Sequence, residues 1–313
     1  MKSPLLVPAR FLIDRQSDWN DGDRLIGPDE IAGGLTPGEC EAIEIMVTSG
    51  STFDRALVEQ LPNLGLVACF STGIEAIETR LLSERGIQLT TAGGINAHDV
   101  ADHALALFLA RWHGIVEAND LVRSGGWTAS NRTGLAQRRS LRGKNAGIVG
   151  LGRIGSEIAV RTKAHQMDVR WWGPREKPAV PFARAESLLD LARWADVLFL
   201  ACAAIPENAQ MIDADVIAAM GAEGLIINIS RGILVDERAL RAALANGSLG
   251  GASLDVFAAE PTDPADWAGV PNLVMSPHIA GHTREAGPAM FGALRENIRR
   301  YRAHQALLTP YFS

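Results

Sequence analysis

The sequence feature that most constrains the fold is residues 145–155, NAGIVGLGRIG, where a short apolar run leads directly into three spaced glycines. Residues 146–149 have the apolar composition of a buried parallel strand. Gly150, Gly152 and Gly155 match G-x-G-x-x-G, whose glycines permit a tight turn, close approach of a pyrophosphate and close packing of helix on strand. Because a helix N-terminus attracts phosphate, the stretch predicts a dinucleotide site. A turn that binds nothing is the alternative.

Length, charge and hydropathy limit the class of protein. A chain of 313 residues that is 47% hydrophobic is long enough for about two domains with cores of their own. The net charge of -6 argues against nucleic acid as a partner, because phosphate recognition needs a concentrated basic surface. No apolar stretch reaches the length of about 18 residues that a membrane span needs, and the first residues do not resemble a signal peptide. We therefore expect a cytoplasmic protein with no membrane or nucleic-acid partner.

A metal site is not expected from the histidines and cysteines. His282 lies four residues after His278, but no Glu or Cys completes a ligand set such as H-E-x-x-H. The three cysteines lie in or beside apolar runs and are interpreted as small buried hydrophobic residues.

Short apolar runs alternate with helical patterns, such as residues 55–61 and 75–85, over the first 91 residues, which predicts a first βα domain. These runs are residues 5–7, 43–47, 66–70 and 88–91. Polar turns follow two of the runs, at the sheet edge where open α/β sheets bind ligands. The turns are either a substrate site or ordinary strand-to-helix connections. The turn residues that we assign to substrate binding are Ser49, Gly50, Thr72 and Gly73.

A long polar segment interrupts the helical pattern that follows. Asn96 and Asp99 have the spacing of a helix cap before an apolar stripe. Residues 123–139 are then too polar and glycine-rich for a core element, which indicates a functional loop or an interface. Trp127 in this segment either tucks under the loop or contacts a second subunit. We favour the second subunit and predict a homodimer through residues 98–145.

The end of the second nucleotide-domain strand bears on the choice of cofactor. Residues 168–172, DVRWW, form this strand, and Gly173 follows where a carboxylate would hydrogen-bond the adenosine ribose and repel a 2′-phosphate. Arg175 and Lys177 come next and carry positive charge. This pattern favours NADP(H) over NAD(H). The alternative is that both cations are only solvated and the protein accepts either cofactor.

Three ionisable residues follow different strands of the second domain, so we expect them at one sheet edge. They are Arg231, Glu260 and His278. An arginine fork binds a carboxylate, histidine exchanges a proton near neutral pH, and glutamate stabilises an imidazolium. Together they suit reduction of a 2-keto acid, in which hydride reaches the carbonyl carbon and histidine protonates the oxygen. Each residue alone also has a structural explanation, as a cap, a turn residue or a hydrogen-bond partner.

Six ordered segments give the chain a resemblance to the D-2-hydroxyacid dehydrogenases over nearly its whole length. They are FSTGIEAIE at 70–78, HDVADHALALFLA at 98–110, VGLGRIG at 149–155, NISRGILVDERAL at 228–240, SLDVFAAEP at 253–261 and SPHIAGHT at 276–283. The resemblance implies a substrate-binding and catalytic role for Arg231 and an acid–base role for His278 with Glu260. It also implies that the Thr72–Gly73 turn offers backbone N–H groups to the substrate carboxylate, and that Asp255 binds the nicotinamide carboxamide.

The same resemblance completes the predicted cofactor site. Cys202 opens the segment CAAIPEN near the cofactor, in which Ile205 stands where the family often has threonine. The predicted cofactor-binding residues are Gly150, Gly152, Arg153, Ile154, Gly155, Gly173, Arg175, Cys202 and Asp255.

The resemblance implies an α/β fold of two doubly wound parallel-sheet domains, with a Rossmann-type nucleotide domain inserted into a flavodoxin-like substrate domain. Its interleaved domains predict residues 1–97 plus 282–313 as the substrate domain and 98–281 as the dinucleotide-binding domain. Within the family, segment 70–78 and Gly173 are similar to the NADPH-dependent glyoxylate and hydroxypyruvate reductases, which include the hydroxyphenylpyruvate reductases and act as homodimers.

We therefore expect NADPH-dependent reduction of glyoxylate or hydroxypyruvate to the D-2-hydroxy acid. One alternative is an NAD-dependent D-2-hydroxyacid dehydrogenase of different substrate range. Oxidation of phosphite or formate is another, although Glu260 argues against formate because glutamine is usual there in formate dehydrogenases. A dinucleotide-sensing binding protein is the alternative outside enzymes.

Overall fold

The computed structural model describes residues 3–15, 19, 22–131, 138–177 and 179–311. The backbone divides into two compact units: unit 1 comprises Met1–Asn96 with Thr283–Ser313, and unit 2 comprises Ala97–His282. In sequence, unit 2 is therefore an insertion within unit 1. No helix of the described residues combines the length and the apolar character that crossing a membrane requires.

Every pairing between named strands of the described residues is parallel. The strands are β1 (Leu5–Leu6), β2 (Leu25–Ile26), β3 (Ile45–Thr48), β4 (Leu66–Cys69), β5 (Gln88–Thr90), β6 (Asn145–Val149), β7 (Asp168–Trp172), β8 (Ala183–Arg184), β9 (Val197–Leu200), β10 (Leu225–Asn228), β11 (Gly251–Leu254) and β12 (Leu273–Met275). The helices are α1 (Arg10–Ile13), α2 (Pro28–Gly33), α3 (Pro37–Ala42), α4 (Arg55–Glu59), α5 (Thr79–Glu84), α6 (Ala97–His113), α7 (Ile115–Arg123), α8 (Arg153–Ala164), α9 (Leu188–Trp194), α10 (Ala214–Met220), α11 (Glu237–Asn246) and α12 (Ala286–Arg302).

Unit 1 is built on a sheet with five strands in its described part, in the order β2-β1-β3-β4-β5. This is the 2-1-3-4-5 order of flavodoxin-like folds. β3 and β4 are buried at every position because helices cover both faces of the sheet. Helices α4 and α5 contribute to the core on one face, and α1 and α12 contribute to the core on the other.

Unit 2 is built on a sheet with seven strands in its described part, in the order β12-β11-β10-β9-β6-β7-β8. Counted from β6, the order is 7-6-5-4-1-2-3, which is the dinucleotide-binding order 3-2-1-4-5-6 with one further strand. The strand order reverses between β6 and β9, and ligands of such folds bind in the crevice at the carboxyl ends of these strands. The predicted fold class is confirmed.

The differences from the predicted elements concern short segments. β2, β8 and α1–α3 were not predicted, because two-residue strands and helices of four to six residues are too short to show a period. The helix predicted at 75–85 begins only at Thr79, since the preceding residues form turns and bends. In the predicted loop 123–139, residues 124–131 form neither helix nor strand, and residues 132–137 lie outside the described residues.

The core of unit 2 is fixed by an aromatic cluster beneath helix α6. The Phe108 ring is fully buried and lies edge-on to Phe199 of β9, with ring centroids 5.4 Å apart. Trp112 lies one helical turn further along and packs edge-on against Phe108 at 5.3 Å. Helix α6 is thereby held against the sheet that carries the polar strand ends.

Replacing Phe108 with alanine should lower the free energy of unfolding of unit 2 by about 3–5 kcal/mol, because it removes a fully buried ring and leaves a cavity. Urea denaturation followed by tryptophan fluorescence measures this change. Phe11→Ala is the matched control, since the Phe11 side chain is 46% exposed and its loss should cost less than about 1 kcal/mol. Equal losses in the two variants would contradict the described core.

Candidate active site

Two of the three motif glycines are required by packing within unit 2. Gly150 has φ of +90°, and a Cβ there would lie 2.6 Å from the Cα of Cys202. A Cβ on Gly155 would lie 2.0 Å from the carbonyl oxygen of Gly150. Both contacts are with main-chain atoms, which cannot move aside, so a larger residue would disrupt the turn from β6 into α8.

Gly152 has no such packing requirement. A Cβ on this residue would meet nothing within 4 Å, and α8 begins at the next residue. The turn therefore presents bare backbone and a helix N-terminus to open space, which is what a pyrophosphate needs. Arg153 is exposed at the start of α8, and Ile154 packs partly buried against the core of unit 2. The residues present fit a bound dinucleotide.

The loop after β7 is held by two cations that bond main-chain carbonyls. Arg184 of β8 donates from Nη2 to the Gly173 oxygen at 2.8 Å, and Lys177 donates from Nζ to the Leu151 oxygen at 2.5 Å. Lys177 thus connects this loop to the glycine turn. Arg175 lies between Gly173 and Lys177 in the sequence, and its side chain is exposed. The sequence analysis missed Arg184, because it missed β8.

Cys202 is a structural neighbour of the glycine turn. Its backbone lies against Gly150, and its carbonyl accepts a hydrogen bond from the Ser230 hydroxyl. Burial raises the pKa of the Cys202 thiol to about 11, so the thiol stays protonated near neutral pH. The residue therefore shapes the space beside the glycine turn and is not a nucleophile.

Glu260 and His278 form a hydrogen-bonded pair. Nδ1 of His278 lies 2.6 Å from Oε2 of Glu260, and the other carboxylate oxygen accepts the Phe257 N–H at 3.0 Å. The His278 side chain is 46% exposed, so the ring has one side on the carboxylate and another accessible to solvent. The pairing fixes the orientation of the ring.

Arg231 lies on a loop that packs against the segment leading to Glu260. A Cβ on the neighbouring Gly232 would lie 1.9 Å from the carbonyl carbon of Phe257, so the two loops are in close contact. The buried Asn228 side chain fixes the Arg231 loop, because its amide donates to the Arg231 oxygen at 2.9 Å and its oxygen accepts the Ser230 N–H at 3.0 Å. The structure thus brings together the loops of all three predicted catalytic residues at one edge of the unit 2 sheet.

Asp255 lies buried behind His278 and is bonded to the loop after β12. Ser276 donates to its carboxylate, and His103 of α6 lies 2.9 Å from the Ser276 hydroxyl. Neither residue was among the predicted site residues, and His103 was interpreted from its helical context as structural or solvated. The sequence did contain one signal for His103: it lies three residues after Val100, so a helix places it on the apolar face of α6 that packs on the sheet. The binding of a carboxamide by Asp255 stays a prediction.

The predicted substrate residues of unit 1 lie in two turns that contact each other. A Cβ on Gly50 would lie 1.8 Å from the Gly73 oxygen, and the Gly50 N–H donates to the Ser71 hydroxyl at 2.7 Å. Ser49 is buried, and Thr72 donates to the Asn96 side chain at 3.3 Å. The turns follow β3 and β4 at the carboxyl edge of their sheet. Their role in substrate binding stays a prediction.

A comparison with known protein families gives one assignment. Residues 105–280 match the model of the NAD binding domain of the D-isomer specific 2-hydroxyacid dehydrogenases. The chain belongs to this family. The match spans β6 to β12 with α8, and it includes Arg231, Glu260 and His278. The predicted family is therefore confirmed.

Relatives in the family extend the match over most of the chain. Glyoxylate/hydroxypyruvate reductase A of Arabidopsis thaliana is 37% identical over 257 residues, which is 82% of this chain and 81% of the relative. Hydroxyphenylpyruvate reductase of Plectranthus scutellarioides is 35% identical over 87% of this chain and 86% of its own length.

Solved structures of the family share this fold. A 2-hydroxyacid dehydrogenase of Ketogulonicigenium vulgare is 35% identical, with a TM-score of 0.87 over 100% of this chain and 99% of its own. An NADPH-dependent glyoxylate/hydroxypyruvate reductase of Sinorhizobium meliloti, solved with NADP and malonate, is 28% identical, with a TM-score of 0.86 over 99% of this chain and 97% of its own.

Alanine should weaken cofactor binding at one motif glycine and lower thermal stability at another. Gly152→Ala should weaken NADPH binding about tenfold, because its Cβ would stand where the pyrophosphate approaches the backbone and cost about one charge-assisted hydrogen bond, or about 1.5 kcal/mol. Thermal stability should be unchanged, since nothing lies within 4 Å of that Cβ. Gly155→Ala should lower the melting temperature, because its Cβ would collide with main-chain oxygen. Fluorescence titration with NADPH and thermal denaturation measure the two effects. A destabilised Gly152 variant with unaltered NADPH affinity would refute the role of Gly152.

Proposed function

We propose that the protein reduces small 2-keto acids such as glyoxylate and hydroxypyruvate to D-2-hydroxy acids, with NADPH as the preferred cofactor. The single observation that carries this proposal is the 2.6 Å contact between His278 and Glu260, beside the Arg231 loop. It lies in the unit that matches an NAD binding domain. Relatives named as glyoxylate/hydroxypyruvate reductases support the substrate class.

The chemistry of the pair follows from its geometry. Glu260 engages Nδ1 of His278, so Nε2 is the nitrogen that gives a proton to the carbonyl oxygen of the substrate. The carboxylate holds the ring so that Nε2 faces away from Glu260. Arg231 supplies a planar guanidinium suited to a substrate carboxylate. The bound nicotinamide supplies the hydride.

Cofactor preference is assigned to the loop after β7. Gly173 provides no carboxylate to repel a 2′-phosphate, and the exposed Arg175 is placed to pair with one. Lys177 already donates to a carbonyl of the glycine turn, so we assign the phosphate contact to Arg175. NAD(H) lacks the 2′-phosphate and remains a weaker second cofactor.

Unit 2 is proposed as the dinucleotide-binding domain and unit 1 as the substrate domain. Within unit 1, the backbone of Thr72–Gly73 is proposed to bind the substrate carboxylate, with Ser49 and Gly50 shaping the adjoining turn. These assignments are supported by the place of both turns at the carboxyl edge of the sheet. The segment 70–78 that carries Thr72–Gly73 is also one of the segments that resemble the family.

A homodimer through residues 98–145 is proposed from the apolar side chains exposed there. Ile115, Val122 and Trp127 are each more than half exposed, at 55%, 56% and 52%. Such clustering of large apolar and aromatic side chains is typical of interfaces. A cytoplasmic location is proposed because all three cysteines are free thiols, as is usual in reducing compartments.

A panel of keto acids assayed with both reduced cofactors tests the proposed reaction. We expect NADPH oxidation with glyoxylate and hydroxypyruvate, at a kcat/KM at least about tenfold above that with NADH. Hydroxyphenylpyruvate and 2-ketogluconate belong in the panel, because relatives are named for them. Turnover only of other keto acids with NADH would reject the proposal. No turnover together with dinucleotide binding would favour a sensing protein, and oxidation of phosphite or formate would favour that alternative.

Arg175→Ala should raise KM for NADPH about tenfold or more, because it removes a charge-assisted hydrogen bond to the 2′-phosphate, and should change KM for NADH little. Steady-state kinetics with each cofactor measure the difference. Arg193→Ala is the matched control, since Arg193 is another exposed arginine of unit 2 whose guanidinium pairs with Asp190. If both cofactors lost affinity equally, Arg175 would have no part in 2′-phosphate recognition.

A further inference from the structure

Asp255 holds the backbone at His278 and at the two residues that follow it. Its Oδ1 accepts the Ile279 N–H at 3.0 Å and its Oδ2 accepts the Ala280 N–H at 2.9 Å, while its main-chain oxygen accepts the His278 N–H at 2.7 Å. His278 has φ of +53°, a left-handed conformation that residues other than glycine seldom adopt. Such a conformation persists only where its surroundings fix it, and these three bonds do so.

Two further side chains lead into this carboxylate. Ser276 donates from Oγ to Oδ1 of Asp255 at 2.5 Å, and Nε2 of His103 lies 2.9 Å from the same Oγ. A hydroxyl has one hydrogen. Because Ser276 gives it to Asp255, its oxygen accepts from His103, and Nε2 of His103 carries a proton. We call His103, Ser276 and Asp255 the donor chain.

Helix α6 fixes the first member of the donor chain. The His103 side chain is only 23% exposed, and α6 packs against β11 and β12. Ser253 of β11 also donates to the Leu107 oxygen of α6 at 3.1 Å in the buried interface. Asp255 directly follows β11 and Ser276 directly follows β12. Packing of one helix on two strands therefore sets the distances along the whole donor chain.

We propose that His103 is a positioning residue that acts through Ser276 and Asp255 to hold the backbone that orients His278. The inference rests on the proposed function, in which His278 is the proton donor. Nε2 of His103 also lies 3.4 Å from Oδ1 of Asp255, so its N–H faces both the Ser276 oxygen and the carboxylate. A buried carboxylate that loses a donor beside it rearranges to find another. The loop that it holds would shift with it.

The effect should fall on the chemical step more than on cofactor binding. A misplacement of about 1 Å at a reacting group can cost about 100-fold in rate. The glycine turn, by contrast, lies after β6 and has no bond to the donor chain among the described contacts. Loss of the His103 donor is therefore expected to lower kcat much more than it weakens NADPH binding, in which Asp255 is the predicted partner of the carboxamide alone.

Variants of His103 test this inference in the holoenzyme. His103→Leu should lower kcat for hydroxypyruvate about 10- to 100-fold, with KM for NADPH within about twofold of wild type. His103→Gln keeps an N–H near the position of Nε2 and should recover most of kcat. His98→Leu on the same helix is the control, since that side chain is 72% exposed and outside the donor chain. Equal losses in the Leu and Gln variants, or wild-type kcat in His103→Leu, would overturn the inference.

Hydrogen exchange gives a readout that does not need activity. The Ile279 and Ala280 amides donate to Asp255, so they should exchange faster in His103→Leu than in wild type or His103→Gln. If the wild type reduced no 2-keto acid, the proposed function would fail, and the exchange rates would still show whether His103 holds the loop. Unchanged exchange in His103→Leu would overturn the inference whatever its activity.

Ser276→Ala provides a second route if His103→Leu does not fold. It breaks the donor chain in the middle and should produce the same loss of kcat and the same faster exchange. Wild-type kcat together with wild-type exchange of the Ile279 and Ala280 amides in Ser276→Ala would overturn the inference.

Discussion

Polar side chains at the carboxyl ends of β10, β11 and β12 hold the loops on which the proposed chemistry depends. Asn228 and Asp255 are buried, and Ser276 is half-buried. The Asn228 side chain is hydrogen-bonded to the backbone of Ser230 and Arg231. Asp255 is bonded to the loop of His278, and Ser276 donates to Asp255. In a parallel sheet covered on both faces, a strand end is buried and its backbone groups need partners. Side chains that supply these partners also fix the loop that follows each strand. The hydrogen bonds that satisfy the backbone therefore also orient the reactive side chains on those loops.

Glycines in this chain separate into those that the fold requires and those that leave space for a ligand. Gly150, Gly155 and Gly232 each face main-chain atoms at distances that no Cβ could occupy. Gly152 faces open space at the start of a helix. The motif in the sequence does not distinguish these cases, because it records only which residue is present. The surroundings of each missing Cβ show which glycine serves packing and which serves binding.

Sequence patterns located the long, fully buried strands well, because a run such as Ile226–Ile227 must lie inside a sheet of this kind. They located the catalytic candidates through the polar residue that follows each strand. They could not find His103, which is separated from Ser276 by 173 positions and meets it only through packing of α6 on the sheet. They also could not find Arg184, since a two-residue strand has no period to detect. No local pattern predicts the strand order, and the family resemblance implied only the fold class.

The absence of a carboxylate after β7 is not imposed by the backbone. Gly173 has no positive φ, and a Cβ there would meet only the Trp171 ring at 3.4 Å, an ordinary contact. The fold therefore accepts a side chain at this position, unlike at Gly150. The Gly173 oxygen accepts a hydrogen bond from Arg184, so one cation is already fixed at this turn. Because packing does not demand glycine, we attribute its presence to the proposed preference for NADPH. A 2′-phosphate is the ligand group that a missing carboxylate and a nearby guanidinium both accommodate.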